Sequence, residues 1–209
     1  KGVARLFLGQ DDEFNVRSTY SLNPGPGAEV SLRDRMVDLA EREYSFDVDE
    51  CVYGWTAAFR QTWTHIVVRI NTNPDSGIST TTESTLQATW QTGIENTWNN
   101  QWAASRSGEL SCRISFDVIF SNSNPHHNVR IRTGPARSNM STWDTQDTGA
   151  VAAHEFGHML GHPDEYSDPA CPNRSPVNTG TIMDNNSNNV PSRLMTRFAN
   201  NIGSNVVSP

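Results

Sequence analysis

His154-Glu155-Phe156-Gly157-His158-Met159-Leu160-Gly161-His162-Pro163-Asp164 is the most informative stretch of this sequence. His154 and His158 stand four residues apart, so on a helix their imidazoles lie one turn apart on one face and can converge on a single cation. Glu155 adjoins that face, where a carboxylate can accept a proton from a metal-activated water and pass it to a departing amine. The spacing therefore offers a nucleophile, a base and an electrophile together.

The same pattern can arise by chance in a solvated helix, as two surface histidines beside a glutamate. The neighbouring residues argue against this, because they are apolar and predict a largely buried helix: Val151, Ala152, Ala153, Phe156, Met159 and Leu160. Histidines and a glutamate buried in such a helix need partners that offset their desolvation, and a metal ion provides them. We expect the helix to begin at Asp147 or Thr148 and to end at Gly161.

A catalytic zinc usually keeps three protein ligands and leaves one position for water, so a third ligand is needed. The candidates that follow the second histidine are His162, Asp164, Glu165, Asp168 and Asp184. Gly161 can stop the helix and let the chain bring Asp164 back towards the metal. Pro163 biases His162 towards an extended conformation. We predict Asp164 as the third ligand and keep His162 as the alternative.

This stretch resembles the metzincin pattern His-Glu-x-x-His-x-x-Gly-x-x-His/Asp, and its terminal aspartate resembles the snapalysin-like variant. Most metzincins carry histidine there, so an anionic ligand is the main departure from the family pattern. The resemblance implies a zinc-dependent endopeptidase with one catalytic Zn²⁺. It also implies that His154, His158 and Asp164 are the metal ligands and that Glu155 is the general base.

The same resemblance suggests roles for two further residues. Snapalysin-like enzymes have a tyrosine two residues after the aspartate, so Tyr166 is expected to support the oxyanion or to orient the site. The alternative is an aromatic side chain that only packs under the helix end. Thr181-Ile182-Met183-Asp184 matches the methionine-containing turn beneath the metal, where Met183 is a packing platform and not a ligand. Met195 competes for this role, but residues 191–199 predict a C-terminal helix.

Apolar periodicity predicts an α+β domain around the motif. The predicted strands are 65–70, 113–120 and 128–133, and an amphipathic helix is predicted over 82–102. Turn residues 121–125 are compatible with antiparallel pairing of the last two strands. The metzincin resemblance implies a twisted, mostly parallel sheet with a backing helix and an active-site helix, followed by a smaller irregular C-terminal subdomain. It also implies an edge strand that pairs with extended substrate, which we assign to 128–133.

Residues 1–50 differ from the rest of the sequence. They contain a turn-like segment at 23–27 and a short charged helix predicted over 31–44, with Ser31 as its N-cap. We interpret residues 1–50 as an N-terminal extension, which can be a pro-segment, a packing arm or a remnant of a larger chain. Residues 51–209 are then the metzincin-like catalytic domain.

Three cysteines, Cys51, Cys112 and Cys171, permit at most one internal disulfide and leave one thiol over. The sequence does not choose the pair. The alternative use of a cysteine, blocking the zinc in a latent form, has no support in the local sequence.

Charge and hydropathy narrow the classes of partner. The formal net charge is -7, without long runs of like charge, which excludes nucleic acid and anionic membrane surfaces as expected partners. No apolar run approaches the roughly 18 residues of a membrane span. The first residues lack a secretory signal pattern, but the chain starts at Lys1, so this says little about export. We expect a protein that is secreted, exported or delivered into another cell.

We expect a protein or peptide substrate, and the oligomeric state stays open. The alternative function is a non-catalytic, zinc-stabilised module that binds peptides without cutting them. Such a module would have a closed metal site with four protein ligands.

Overall fold

The computed structural model describes residues 40–106 and 111–209. The strands are β1 (Arg42–Glu50), β2 (Tyr53–Thr62), β3 (His65–Pro74), β4 (Ala103–Ser105), β5 (Cys112–Arg113), β6 (Ser115–Phe120), β7 (His127–Arg132), β8 (Thr142–Asp144) and β9 (Asn205–Val207). The helices are α1 (Thr80–Trp98), α2 (Gly149–Met159) and α3 (Thr196–Asn201), the last of which follows the 3-10 helix Ser192–Met195. The predicted α+β class is confirmed.

The main sheet is mixed. Its strands lie in the order β1-β2-β3-β7-β8, and β6 also pairs with β3. The β1–β2 and β2–β3 pairs are antiparallel, whereas β6 and β7 run parallel to β3, and β8 runs parallel to β7. The expected mostly parallel sheet is corrected to a mixed one, because β1 and β2, which were not among the predicted strands, add two antiparallel pairs.

β6 and β7 are not antiparallel neighbours, contrary to the prediction from the turn residues between them. Both run parallel to β3, and Ile70 is opposite Phe120 of β6 and His127 of β7, so the two strands follow one another along the same edge. The intervening residues stay attached to that edge, since the Ser121 amide donates to the Ile70 carbonyl at 2.9 Å. Since β7 pairs with β8 on its other side, the substrate edge assigned to 128–133 is also wrong.

The β1 strand overlaps the end of the predicted charged helix. Residues 31–39 of that helix and the turn at 23–27 lie outside the described residues, but residues 42–44 are extended and belong to β1. β1 pairs with β2 along its whole length, from Arg42 opposite Gln61 to Glu50 opposite Tyr53. The signal for this strand was present, because the apolar residues Tyr44, Phe46 and Val48 alternate with polar ones.

Helix α1 packs behind the sheet and fixes the position of α2. The side chain of Ser79 caps its first turn by accepting from the Thr82 amide at 3.1 Å. It ends earlier than predicted, at Trp98, and Asn100 just beyond has a left-handed backbone. A Cβ on Gly93 of α1 would lie 2.2 Å from the Cα of Gly149, so the helices touch backbone to backbone where α2 begins.

Helix α2 has the predicted limits. Thr148 is its N-cap and accepts a hydrogen bond from the Val151 amide, and Leu160 is its C-cap. Gly161 follows with φ +92, a conformation that side-chain-bearing residues rarely adopt. Most of the helix is buried, as its apolar neighbours indicate. No helix in the described ranges is both long and apolar enough to cross a membrane.

We expect Gly161→Ala to destabilise the fold by about 2–5 kcal/mol. The left-handed backbone would cost about 1–2 kcal/mol in any L-residue, and overpacking typically adds roughly 1–3 kcal/mol. The overpacking arises because a Cβ at Gly161 would lie 2.6 Å from the Phe46 ring. Urea unfolding of the metal-free protein measures the loss.

Gly77→Ala is the matched control for this substitution. Gly77 also has a positive φ, of +98, but its Cβ would meet no atom within 4 Å. It should therefore show only the backbone cost, about 1–2 kcal/mol. Equal losses of unfolding free energy in the two variants would mean that the Phe46 ring does not restrict the side chain at position 161.

Candidate metal centre

Three side chains converge at one point on the wall of a cleft. His154, His158 and Asp164 each offer one ligand atom, and these atoms all lie within 4.8 Å of one another. The Nε2 atoms of His154 and His158 lie 3.1 and 3.2 Å from the same oxygen, Oδ1 of Asp164. His154 is buried and the other two are partly buried. The structure thus contains a possible metal site.

The path of the chain after α2 explains this convergence. The two histidines occupy successive turns of the helix, on the same face. The left-handed backbone of Gly161 then reverses the chain, and the His162 amide donates to the Gly157 carbonyl at 3.0 Å. The reversal brings Asp164 back to the Nε2 atoms of both imidazoles.

The hydrogen bonds of the imidazoles fix which nitrogen of each ring faces the site. Nδ1 of His154 lies 2.7 Å from the Ile182 carbonyl, and Nδ1 of His158 lies 2.8 Å from the His162 carbonyl. A carbonyl oxygen can only accept, so each Nδ1 carries a proton and Nε2 is the nitrogen that faces Asp164, where it can donate to the carboxylate or, once deprotonated, bind a metal ion. Two ring nitrogens and a carboxylate oxygen this close together need a proton or a metal ion between them. Two nitrogens and one oxygen in this arrangement fit zinc.

Asp164 is held by its second oxygen. The Tyr166 hydroxyl donates to Oδ2 of Asp164 at 2.6 Å. Burial opposes ionisation of this carboxyl, but hydrogen bonds from His154, His158 and Tyr166 hold its pKa well below the usual range. Burial and the bond to Asp164 raise the pKa of Tyr166 to about 12, so the phenol keeps its proton. Oδ1 of Asp164 is left facing the two imidazoles.

Glu155 is a buried carboxylate without a full set of partners. Glu155 is 6% exposed, and its Oε2 atom has no hydrogen-bond partner among the described residues. Burial raises the pKa of the Glu155 carboxyl. Glu155 lines the same cleft as the histidines, which places a buried carboxylate with an unused acceptor at the candidate metal site.

The cleft has a volume of about 820 Å³. One wall is the tip of the β1–β2 hairpin, residues 52–55, and the opposite wall is the loop of residues 136–141. Val52, at the hairpin tip, is 72% exposed. Trp55 connects the hairpin to the helix of the metal site, since its Nε1 donates to the His158 carbonyl at 2.8 Å.

Met183 lies directly against α2. It is fully buried, and a Cβ on Gly157 would lie 2.4 Å from its Sδ atom. Gly157 stands between the two histidines, and the preceding Ile182 provides the carbonyl that accepts from His154. Met183 therefore packs under the segment of helix that carries both imidazoles. Met195, the competing methionine, is buried in the 3-10 helix.

The other candidates for the third ligand have different partners. The buried ring of His162 stacks on Trp98, with centroids 5.8 Å apart and planes 9° apart, and burial lowers its pKa to about 3. The carboxylates accept hydrogen bonds elsewhere: Glu165 from Arg193, Asp168 from Tyr53 and Asp184 from the Gly180 amide. Within the described ranges, Asp164 alone completes a group with the two histidines.

Two arginines beside Tyr166 were not found from the sequence. Arg174 forms a two-pronged ion pair with Glu50, at 2.8 and 2.9 Å, and donates to the Tyr166 carbonyl at 2.8 Å. Arg137 belongs to the 136–141 loop and donates to the Tyr166 hydroxyl. No local pattern marks either residue, because both contacts depend on the tertiary fold.

The structure assigns the cysteines. Cys51 and Cys171 form a disulfide that joins the β1–β2 turn to the loop following Asp164. Cys112 is a free, partly buried thiol in β5. The disulfide therefore connects one wall of the cleft to the segment that carries Arg174.

Comparison with known proteins supports one class of enzyme for this site. Residues 118–199 match a family model described as immune inhibitor A peptidase M6, catalytic domain. The match covers fewer than half of the 209 residues, but it includes His154, Glu155, His158 and Asp164. No curated protein and no solved structure matches the chain. The family match and the convergent metal-ligand geometry together support a metallopeptidase, a hydrolase that acts on proteins or peptides.

Proposed function

We propose that the protein is a zinc-dependent endopeptidase of the metzincin type. His154, His158 and Asp164 hold one catalytic Zn²⁺, and Glu155 is the general base. The observation that carries this proposal is the direction of the imidazoles, whose Nε2 atoms converge with Oδ1 of Asp164 on the wall of a cleft. The buried, unpartnered oxygen of Glu155 in the same cleft supports the assignment of the base.

The metal and the side chains have separate roles in the proposed reaction. Bound zinc supplies a Lewis acid that polarises the scissile carbonyl and lowers the pKa of a water. Glu155 accepts a proton from the attacking water as the bond from oxygen to the carbonyl carbon forms. As the C–N bond breaks, Glu155 returns that proton to the departing nitrogen. Burial raises the pKa of Glu155, which makes its carboxylate a stronger base.

Tyr166 orients the site in this proposal. Its hydroxyl has one proton and donates it to Oδ2 of Asp164 at 2.6 Å. The contact fixes the carboxylate so that Oδ1 faces the histidines, as partners of ligating groups commonly do. Of the two roles expected for Tyr166, this geometry favours orientation over support of the oxyanion.

The edge of the main sheet suggests how a peptide lies in the cleft. β8 is at the edge, and the 136–141 loop that precedes it forms one wall of the cleft. An extended peptide can add to such an edge through backbone hydrogen bonds. The outward backbone groups of β8 are already bonded, Thr142 to Asn139 and Asp144 to Asp147. We therefore assign the substrate contacts to the loop and not to β8. A peptide held along the loop can run past the metal in both directions, as endopeptidase cleavage requires.

The peptide-binding module is not favoured by the geometry. A closed structural zinc site usually has four protein ligands. In the part of the chain that the structure describes, three side chains converge, and His162 is stacked on Trp98 instead. A three-ligand site keeps a position for water and substrate.

We further propose that the protein works outside the cytosol. The disulfide between Cys51 and Cys171 supports this, because such bonds form and persist mainly in oxidising compartments. Export is common to both expected contexts, secretion and delivery into another cell. The role of residues 1–39 as part of an N-terminal extension stays a prediction, since they lie outside the described residues.

We expect the purified protein to contain zinc in equimolar amount and to digest casein. A strong zinc chelator should abolish the digestion, and added zinc should restore it, because the three ligands alone provide no Lewis acid. Elemental analysis and the release of casein fragments measure the two properties. Chelator saturated with zinc beforehand is the control.

Two results would contradict the proposal. Casein digestion that continues at full rate in metal-free protein would exclude a metal-dependent mechanism. Stoichiometric zinc without cleavage of casein or of a panel of unstructured peptides would favour the peptide-binding module.

A further inference from the structure

We propose that Arg137 is a catalytic residue that donates hydrogen bonds to the carbonyl oxygen of the scissile peptide as negative charge develops on it. The inference rests on the proposed endopeptidase activity and adds an electrophile supplied by the protein itself. Four observations carry it: how Tyr166 uses its proton, where the guanidinium lies, the charge of the cleft and the contrast with Arg174.

The first observation is that Tyr166 has no proton to spare for the substrate. Its hydroxyl donates to Asp164 and accepts from Nη2 of Arg137. A phenol has a single proton, so it cannot hold Asp164 and an oxyanion at the same time. A side chain that assists bound zinc in stabilising the oxyanion must therefore be another donor in the cleft.

Arg137 is close enough to take that role. Its guanidinium binds the Tyr166 hydroxyl, which in turn binds Asp164, and the other oxygen of Asp164 faces both histidines. Arg137 also lines the cleft that contains Glu155. The loop is fixed at its base, because the Ala136 amide donates to Oδ2 of Asp144 at 2.9 Å. The guanidinium is thus placed beside the metal site and not on a free chain end.

Arg137 differs in charge from the other ionisable side chains that line the cleft. The carboxylates that line the cleft are Glu50, Asp147, Glu155, Asp164 and Asp184. Among the described residues that line it, Arg137 is the only lysine or arginine, and no described carboxylate forms an ion pair with it. A guanidinium has five N–H donors in a rigid fork, so the bond to Tyr166 leaves others for a ligand.

Arg174 contacts the same tyrosine but cannot play this part. Its side chain is 1% exposed, and its fork is taken by Glu50. It stabilises Tyr166 from within the protein, with its guanidinium 4.8 Å from the ring centroid. Arg174 is therefore a positioning residue, whereas Arg137 faces the substrate.

The proposed step needs no further reactant. Water adds to the carbonyl carbon, the C=O π pair moves onto oxygen, and the proton of the water goes to Glu155. Arg137 donates hydrogen bonds to that oxygen without transferring a proton. When the C–N bond breaks, the electron pair on oxygen re-forms the carbonyl, and Glu155 protonates the leaving nitrogen. Hydrogen bonds that strengthen as charge develops on the oxygen lower the barrier of the chemical step.

The test compares Arg137→Gln and Arg137→Lys with the parent protein. We expect Arg137→Gln to lower kcat by about 10²–10³-fold, the usual effect of removing one oxyanion donor. KM and the zinc affinity, measured by competition with a chromogenic chelator, should stay near the parent values. Arg137→Lys should recover part of kcat, because it keeps the charge but loses the fork. Arg130→Gln is the control, since Arg130 is also an exposed arginine but pairs with Asp75 and does not line the cleft.

A second readout does not depend on turnover. A phosphonate peptide mimics the charged oxygen of the reacting carbonyl, so zinc-loaded Arg137→Gln should bind it about 10²–10³-fold more weakly than the parent. An uncleaved substrate peptide should bind the Glu155→Gln variant and the Glu155→Gln, Arg137→Gln double variant with nearly equal affinity. Isothermal titration calorimetry measures both.

Three results would overturn the inference. An unchanged kcat would exclude a catalytic role, and a raised KM with unchanged kcat would make Arg137 a ground-state binding residue. A loss of kcat that disappears at saturating zinc would mean that Arg137 acts only through Tyr166 on the metal site. If the zinc-loaded parent cleaves nothing, both the proposed function and this inference fail. If the parent and Arg137→Gln cleave at the same rate, only this inference fails.

Discussion

Glu155→Gln is expected to keep the zinc affinity of the parent and to lower kcat by about 10²–10⁴-fold, the range that a positioned general base contributes. Glutamine has nearly the shape of glutamate, so the buried position beside His154 can stay filled. Glutamine cannot accept the proton of the attacking water, and it cannot return a proton to the departing amine. The change therefore removes proton transfer without removing a metal ligand.

The experiment measures zinc content and steady-state kinetics on one peptide substrate. Glu43→Gln is the matched control, because Glu43 is an exposed carboxylate paired with Arg69 and His126 and does not line the cleft. It should leave both properties unchanged. Turnover at the parent rate by fully zinc-loaded Glu155→Gln would refute the general-base mechanism.

The local part of the metal site could be predicted from the sequence because short-range rules determine it. Thr148 as N-cap, Gly161 as terminator and the four-residue spacing of His154 and His158 each act within a few residues. The helix forms with these limits, and the chain reversal after Gly161 brings Asp164 to the two imidazoles. The match to a peptidase family model also includes this helix.

The surroundings of the site could not be predicted in the same way. The β1–β2 hairpin forms one wall of the cleft, yet its contacts with the metal site span more than a hundred residues, as in the bond from Trp55 to the His158 carbonyl. Nothing near Arg137 in the sequence indicates that its guanidinium meets Tyr166. The turn residues at 121–125 do not reveal that the chain continues along the same edge of β3. These features follow from tertiary packing, which overrides local preference.

Asp164→Asn is expected to weaken zinc binding by roughly 100-fold. Zinc sites with four protein ligands bind with about 10–16 kcal/mol, so one ligand corresponds to about 3 kcal/mol, or about 100-fold. Asparagine keeps the shape of the side chain and can still accept from Tyr166, but it removes the negative charge from the atom facing both imidazoles. Chelator competition measures the zinc affinity, and far-UV circular dichroism confirms that the variant is folded.

Two controls decide whether Asp164 is the third ligand. Asp184→Asn changes another carboxylate of the same cleft, whose bond from the Gly180 amide an asparagine oxygen can still accept, so its zinc affinity should not change. His162→Gln changes the alternative ligand, and we expect the folded variant to bind zinc as the parent does, because His162 stacks on Trp98. Parent-like zinc affinity in Asp164→Asn, together with a loss in His162→Gln, would transfer the third ligand to His162. If Asp164 is the third ligand, zinc affinity falls in Asp164→Asn and stays at the parent value in His162→Gln. We expect this result because, among the described carboxylates, Asp164 is the one whose oxygen lies against the Nε2 atoms of both histidines.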